Sequence, residues 1–253
     1  MTEVIVAYKW VLDEADVRVR DDLSVDLSSA RGKISEYDKN AIEAGRRVAE
    51  ELQGKALGVS VGPQPTRKSF PDALARGLDE GIWVDTGEIE AGAQVAARAL
   101  AAVAAQANAG VVICAEGSSD DYARQTASRV GALLDWPIVT AVEGIEAKGD
   151  VLVLRRKTDE CIQVIEAQLP VVLSVLPEVC PAPIPSLKDA LAGKKKPVSE
   201  RDAAGMGIRL DTALERTAVR GYLSERACNL IEGDTAVVIA AGLIDALKKE
   251  GVL

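Results

Sequence analysis

The sequence predicts an α/β fold: a mainly parallel sheet with helices on both faces, antiparallel strands added to it, and a C-terminal arm that ends in a helix. Three observations carry this. Through the first half, β-rich runs alternate with stretches whose apolar residues recur at helical spacing. Those runs hardly alternate in polarity, as strands covered on both faces do. Beyond Pro137, strand-like runs follow one another across short polar turns, the pattern of antiparallel pairing.

Taken in order, Glu3 to Tyr8 (EVIVAY) and Lys55 to Val61 (KALGVSV) read as central strands. Between them Ala41, Ile42, Gly45, Val48, Ala49 and Leu52 form one helical stripe over Asp38 to Leu52, with Gly54 as its stop. Thr66 caps a short helix to Gly77 that carries Phe70, Ala73 and Leu74 on one face, and Ile82-Trp83-Val84 is the next strand. The alanine-rich stretch Gly92 to Ala107 is helical and leads into Val111 to Cys114. A further helix ends near Trp136-Pro137. Val151 to Arg155, Cys161 to Ala167 and Val171 to Leu176 are the strands of the second half. Three prolines in Cys180 to Pro185 and the run Lys194 to Lys196 mark the end of a compact domain, 1–192. The remainder, 193–253, reads as an arm whose last segment, Thr235 to Lys249, is an amphipathic helix needing something to pack on.

Composition narrows the chemistry. The 253 residues carry 30 basic and 39 acidic side chains, a net charge of -9, which disfavours phosphate backbones and anionic membranes. No apolar run is long enough to cross a bilayer, so an integral membrane protein is not expected. There is no histidine, which excludes Ser-His-Asp chemistry, imidazole proton shuttles and every histidine-ligated metal site. The four cysteines, at 114, 161, 180 and 228, lack CxxC spacing and read as free thiols, with Cys114 and Cys161 expected to be buried as small hydrophobes. The opening MTEVIVAYKW reads as a first strand rather than an export or transit signal, which makes the cytoplasm the default address.

In parallel sheets ligands bind at the carboxyl ends of strands. Three such ends draw attention. The first is Cys114-Ala115-Glu116-Gly117-Ser118-Ser119-Asp120-Asp121-Tyr122-Ala123-Arg124-Gln125-Thr126, a strand end, a Gly-Ser-Ser turn and a helix start. Free amides and hydroxyls there suit phosphate oxygens. Ordinary capping, with Ser119 as N-cap and Asp120 and Asp121 against the helix dipole, is the simpler reading, because two acids repel an anion and Arg124, Gln125 and Thr126 only partly offset them. The second is Ile34-Ser35-Glu36-Tyr37-Asp38, where Tyr37 covers an adenine or the segment merely staples a helix start. The third is Val59-Ser60-Val61-Gly62-Pro63, a chain reversal unless the other two walls are used as well. Neither GxGxxG nor GxxxxGK[ST] occurs, and neighbouring carboxylates such as Asp120 and Asp121 suit surface turns better than acid-base catalysis.

Four ordered blocks, YKWVLDEADV, ISEYDKNAIEA, EGSSDDYARQT and IPSLKDALAGKKKPV, resemble the β subunit of electron transfer flavoprotein over nearly the whole chain, and within it the Fix-type branch linked to anaerobic carnitine reduction or nitrogen fixation. The resemblance implies an electron carrier subunit rather than an enzyme, with no catalytic residue and no metal. It implies AMP or a second FAD bound here, an α subunit that holds the redox FAD, and an acyl-CoA dehydrogenase-type redox partner. By position the nucleotide would meet Ala7, Ser35, Glu36, Tyr37, Asp38, Val61, and Ala115 to Thr126, which reverses the preference for a bare cap. The resemblance also implies a partner-recognition loop over 174–196 with Ile184 as its apolar anchor, and a terminal helix that embraces the α subunit. Housekeeping members usually read Asn-Pro-Phe at Ser35-Glu36-Tyr37 and an acidic triplet at Asp120-Asp121-Tyr122. Two other classes remain: a stand-alone adenine-nucleotide-binding module of the stress or signalling type, which would not need the loop, lysine run or tail, and an adenylating or hydrolysing α/β enzyme, which the missing histidine and the lack of a Ser-Gly-Gly phosphate loop disfavour.

Overall fold

The computed structural model describes residues 2–211, 216–222 and 228–253, so parts of the C-terminal arm at 212–215 and 223–227 lie outside the described residues. The strands are β1 (Glu3–Ala7), β2 (Trp10–Leu12), β3 (Arg18–Val19), β4 (Val25–Asp26), β5 (Gly32–Ile34), β6 (Ala56–Gly62), β7 (Glu80–Asp85), β8 (Ala109–Ala115), β9 (Ile138–Lys148), β10 (Val151–Lys157), β11 (Ile162–Gln168), β12 (Val171–Val175) and β13 (Val198–Asp202). The helices are α1 (Glu36–Glu51), α2 (Phe70–Ala75), α3 (Ala93–Gln106), α4 (Thr126–Leu134), α5 (Leu187–Gly193) and α6 (Ala236–Lys249).

Nine strands form one sheet in the order β11-β10-β9-β12-β8-β1-β6-β7-β13. From β9 to β13 every neighbouring pair is parallel, while β10 pairs antiparallel with both β9 and β11. The period of two along β1 sorts its side chains to the two faces. Val4 and Val6 join a core with Ala41, Ile42 and Val48 of α1 and Phe70 and Leu74 of α2. Ile5 and Ala7 face Leu100 and Val103 of α3 and Val130 of α4. Each fully buried aliphatic side chain of this kind contributes about 1.5–3 kcal/mol, so helices on both faces are what makes a non-alternating strand stable. Gly45 lets α1 lie close on β1, since a Cβ there would stand 2.2 Å from Val6 Cγ2.

Several local expectations need correction. Gln53, at φ 53°, takes the left-handed position that ends α1. Gly54 is needed for a different reason, because a Cβ would stand 1.8 Å from the Thr2 carbonyl oxygen. Thr66 lies inside a 3₁₀ turn, Gln64–Ser69, and does not cap α2. The helix after β8 begins at Thr126 with Gln125 before it, so Ser119 is not an N-cap and Asp120 and Asp121 are not in a first helical turn. β9 has no counterpart among the expected strands, and β12, expected among antiparallel strands, runs parallel to β8 and β9. Cys161 is exposed, because it closes the turn after β10 through Thr158 rather than entering a strand; Cys114 and Cys180 are buried and Cys228 is exposed.

The chain divides into two compact units, Met1–Arg18 with Asp26–Ala218, and Val19–Val25 with Val219–Leu253. Residues beyond 192 therefore contribute to the larger unit. Val198–Asp202 extends the main sheet beside β7, and the next residues seat Ala203 and Ile208 in the core under α3. In the smaller unit Thr235 caps α6 through its hydroxyl, which accepts from the Val238 amide at 3.3 Å. No residue of α6 is buried.

Candidate functional site

After β7 the chain crosses through α3 to the other side of β1, so β8 and β6 flank β1 and the loops that leave β1 and β8 diverge to opposite faces. A crevice at the carboxyl ends of the strands is the geometric consequence. There the structure has a cleft of about 690 Å³, its open mouth included. Ala7, Val61 and Ala115, at the ends of β1, β6 and β8, all line it. Its apolar side is Val59, Val61, Ala91, Ala93, Ala96 and Leu100, and its polar side holds Lys9, Asp38, Ser118 and Arg124.

Each polar group is held by a different element. Asp38, in the first turn of α1, is buried and accepts from the Lys9 amide at 2.9 Å. Burial pushes its carboxyl up to about 7, against the Lys9 amide, a hydrogen bond with Ser35 and the Lys9 charge; the Asp120 charge adds to the rise. Ser35 Oγ accepts from the Ser119 amide at 3.2 Å and so ties the start of α1 to the loop after β8. Lys9 Nζ lies 2.6 Å from Asp120 and 3.3 Å from Asp121. Ser118 Oγ stands 2.5 Å from Asp120 and 2.8 Å from Asp121, so its single proton serves two carboxylates. Burial raises the Asp120 carboxyl, but hydrogen bonds from Lys9 and Ser118 hold it below its ordinary range overall.

Glu116 is the buried anchor of the rim. One oxygen takes the Ala141 amide at 3.0 Å and the Ser174 hydroxyl, and the other takes Arg124 Nε at 3.0 Å and Nη2 at 2.6 Å. Burial pushes this carboxyl up, and those donors together bring it below the usual carboxylate range. Between Glu116 and α4 the backbone is strained: Tyr122 at φ 44° and Arg124 at φ 56° are left-handed without being glycine. The Tyr122 ring covers Gly117, where a Cβ would stand 2.4 Å from it, and packs at 5.2 Å from Tyr37. The Cys114 thiol at the floor is pushed up to about 12 by burial, with the Asp38 charge adding to it.

Of the residues singled out by sequence, Ala7, Asp38, Val61, Ala115, Glu116, Gly117, Ser118, Asp121, Ala123, Arg124, Gln125 and Thr126 line the cleft. Ser35, Glu36, Tyr37, Ser119, Asp120 and Tyr122 are not part of its lining: Tyr37 meets Tyr122 instead of an open slot, and Glu36 pairs with Lys33 and Lys39. Sequence reasoning missed Lys9 and the wall of Ala91, Ala93, Ala96 and Leu100. Lys9 had a signal, since it lies just past the end of β1; alanines announce nothing.

A second surface lies apart from the cleft. Ile184 is 92% exposed between Pro183 and Pro185. The following α5 starts with a capping box of Ser186 and Asp189 and exposes Leu187 and Leu191. Gly193 fixes it on α2, since a Cβ would stand 2.6 Å from the Ala75 nitrogen, and Lys196 Nζ donates to the carbonyls of Leu74 and Leu78 at 3.2 and 2.6 Å. Among the described residues no cluster of side chains suits a metal ion, and no helix is long and apolar enough to cross a membrane. Compared with known families, residues 22–206, well over half of the chain, match the family model described as the electron transfer flavoprotein domain.

Proposed function

The chain belongs to the electron transfer flavoprotein domain family, which is associated with flavin and with electron carriage in general, and we propose that it is the small, β-type subunit of a heterodimeric carrier, close to the Fix-type branch. In this reading the cleft binds AMP or a second FAD, an α subunit holds the redox FAD, and the chain supplies no catalytic acid, base or nucleophile. The supporting observation is the cleft itself, where three adjacent strand ends and the loop 116–126 converge.

An adenine nucleotide suits these residues. The alanine and valine side offers a slot for a flat base, which gains apolar burial there without needing an aromatic partner. The opposite end offers the Thr126 hydroxyl, the amides of the loop before α4 and the Arg124 guanidinium to phosphate oxygens. Bound flavin supplies the redox chemistry; this chain's part is to hold the nucleotide, order the strained loop around it and present surfaces to partners. The Ile184 tip on its α5 pedestal would dock an acyl-CoA dehydrogenase-type partner, at little cost in conformational entropy because the prolines and α2 already fix it. The exposed apolar face of α6 would pack on the α subunit.

Acid extraction of the purified complex followed by chromatography tests the reading. We expect one AMP or one extra FAD per chain beside the partner's flavin, and Ser118→Leu should remove the former and spare the latter. Unchanged nucleotide content in that variant would misplace the site. A colourless homodimer that binds ATP would instead favour a stand-alone nucleotide module.

A further inference from the structure

We propose that Arg124 is the residue by which the cleft selects a phosphorylated adenine nucleotide over the bare nucleoside, and that Glu116 is its positioning residue; this rests on the nucleotide-binding reading above. Asp38, Glu116 and Asp121 line the cleft, Asp120 is hydrogen-bonded to Ser118 of its wall, and among the described residues two cations, Lys9 and Arg124, line it with them. Against that acidic lining, a charged side chain can favour an anion only if it still has donors to give.

Lys9 has little left. Its ammonium already faces two carboxylates, Asp120 at 2.6 Å and Asp121 at 3.3 Å. Arg124 differs in geometry. Both of its engaged nitrogens, Nε and Nη2, converge on one oxygen of Glu116, which uses one edge of a planar group that carries five N–H donors. Nη1 has no hydrogen-bond partner among the described residues, and the side chain is 55% exposed while lining the cleft. Two oxygens of one phosphate match the free edge of such a fork, a match that an ammonium cannot reproduce.

What aims the fork is Glu116. Its second oxygen is fixed to the Ala141 amide on β9 and to the Ser174 hydroxyl on β12, so the carboxylate cannot follow Arg124 if the side chain moves. The Tyr122 ring lies 6.0 Å from the guanidinium carbon and limits its swing from the other side. A purely structural latch is the competing account, since the same ion pair closes a loop with two left-handed non-glycine residues. The two accounts part on one quantity. Opening a latch would weaken nucleotide and nucleoside alike, whereas removing a phosphate donor would weaken only the nucleotide.

The experiment is calorimetric titration of the full chain, wild type and variants, with AMP, FAD and adenosine. Wild type should prefer AMP to adenosine by at least about tenfold. Arg124→Gln should lower the affinity for AMP by about ten- to hundredfold, the range of a hydrogen bond to a charged group, with adenosine changed less than about twofold. A matching decrease for FAD would assign the interaction to the adenosine phosphate that both ligands carry, and a decrease confined to AMP to the doubly charged monoester form that FAD lacks. Arg124→Lys should recover part of the affinity, keeping the charge without the fork. Glu116→Gln should lower the AMP-to-adenosine ratio without abolishing adenosine binding. An unchanged ratio in Arg124→Gln overturns the proposal and leaves the nucleotide reading standing, whereas a wild-type chain that binds none of the three ligands overturns the nucleotide reading and this inference with it.

Discussion

Helices α3 and α6 are both fourteen residues long and rich in alanine and valine, yet α3 buries Val95, Ala97, Ala99, Leu100, Ala101, Val103 and Ala104, whereas α6 buries nothing and leaves Val237 at 79% and Ile244 at 45% exposure. Propensity does not decide burial, so the difference lies in what each meets. The sheet face of Ile5, Val59 and Val112 covers α3. Among the described residues nothing buries α6. A helix that apolar gains its stability from packing, and among the described residues α6 leaves its apolar face exposed.

A buried charge should separate the two helices most sharply. Val103→Asp should abolish cooperative folding, a loss of more than about 4 kcal/mol for an unpaired carboxylate in a closed core. The matching Ile244→Asp should leave the thermal midpoint of the larger unit unchanged and reduce self-association. Thermal melts with light scattering read both, and a collapse of the larger unit in Ile244→Asp would show that α6 belongs to its core.

A second test uses the buried carboxyl of the larger unit. Asp38 titrates near 7 in the folded chain against 3.8 ordinarily. Between those values the folded state holds a proton that the unfolded state has released, so stability falls as pH rises from about 4 to about 7, by up to ~1.4 kcal/mol per unit for one such group. The lowered carboxyls Glu116 and Asp120 act with the opposite sign, and they act below about pH 4. Urea unfolding of Asp38→Asn across that window should give a flatter profile than wild type; an identical slope would mean that Asp38 is ionised throughout.

The smallest effect concerns the helix starts. Thr235 caps α6 with its hydroxyl, while Gly92 before α3 has no side chain to do so. Thr235→Ala should weaken α6 by about 1 kcal/mol and speed amide exchange in its first turn. Gly92→Ser should leave exchange in α3 unchanged, because packing rather than the cap holds that helix.

The same contrast explains what was legible beforehand. Strands β1, β6 and β8 and helices α1 and α3 declare themselves because both faces are buried, and burial writes apolar periodicity into sequence. β13 reads Val-Ser-Glu-Arg-Asp; it is a strand only because its backbone pairs with β7 along one edge, which leaves no trace in side-chain pattern. β9 was missed for a related reason. Its partner changes along its length, parallel β12 near one end and antiparallel β10 at the other, so neither alternation nor a continuous apolar run builds up. At the cleft, the strand ends could be placed by topology, but the left-handed Tyr122 and Arg124 disguised the loop as a capped helix start. The alanine wall was invisible, since its contribution is the absence of bulk.

The cysteines have a practical consequence. Cys114 and Cys180 are shielded, with burial raising both thiols, while Cys161 and Cys228 are open to solvent, one in the larger unit and one in the smaller. The unmodified chain thus offers two natural attachment points for maleimide dyes, and energy transfer between them would report, without any engineering, how the carboxyl-terminal segment moves when another polypeptide joins it.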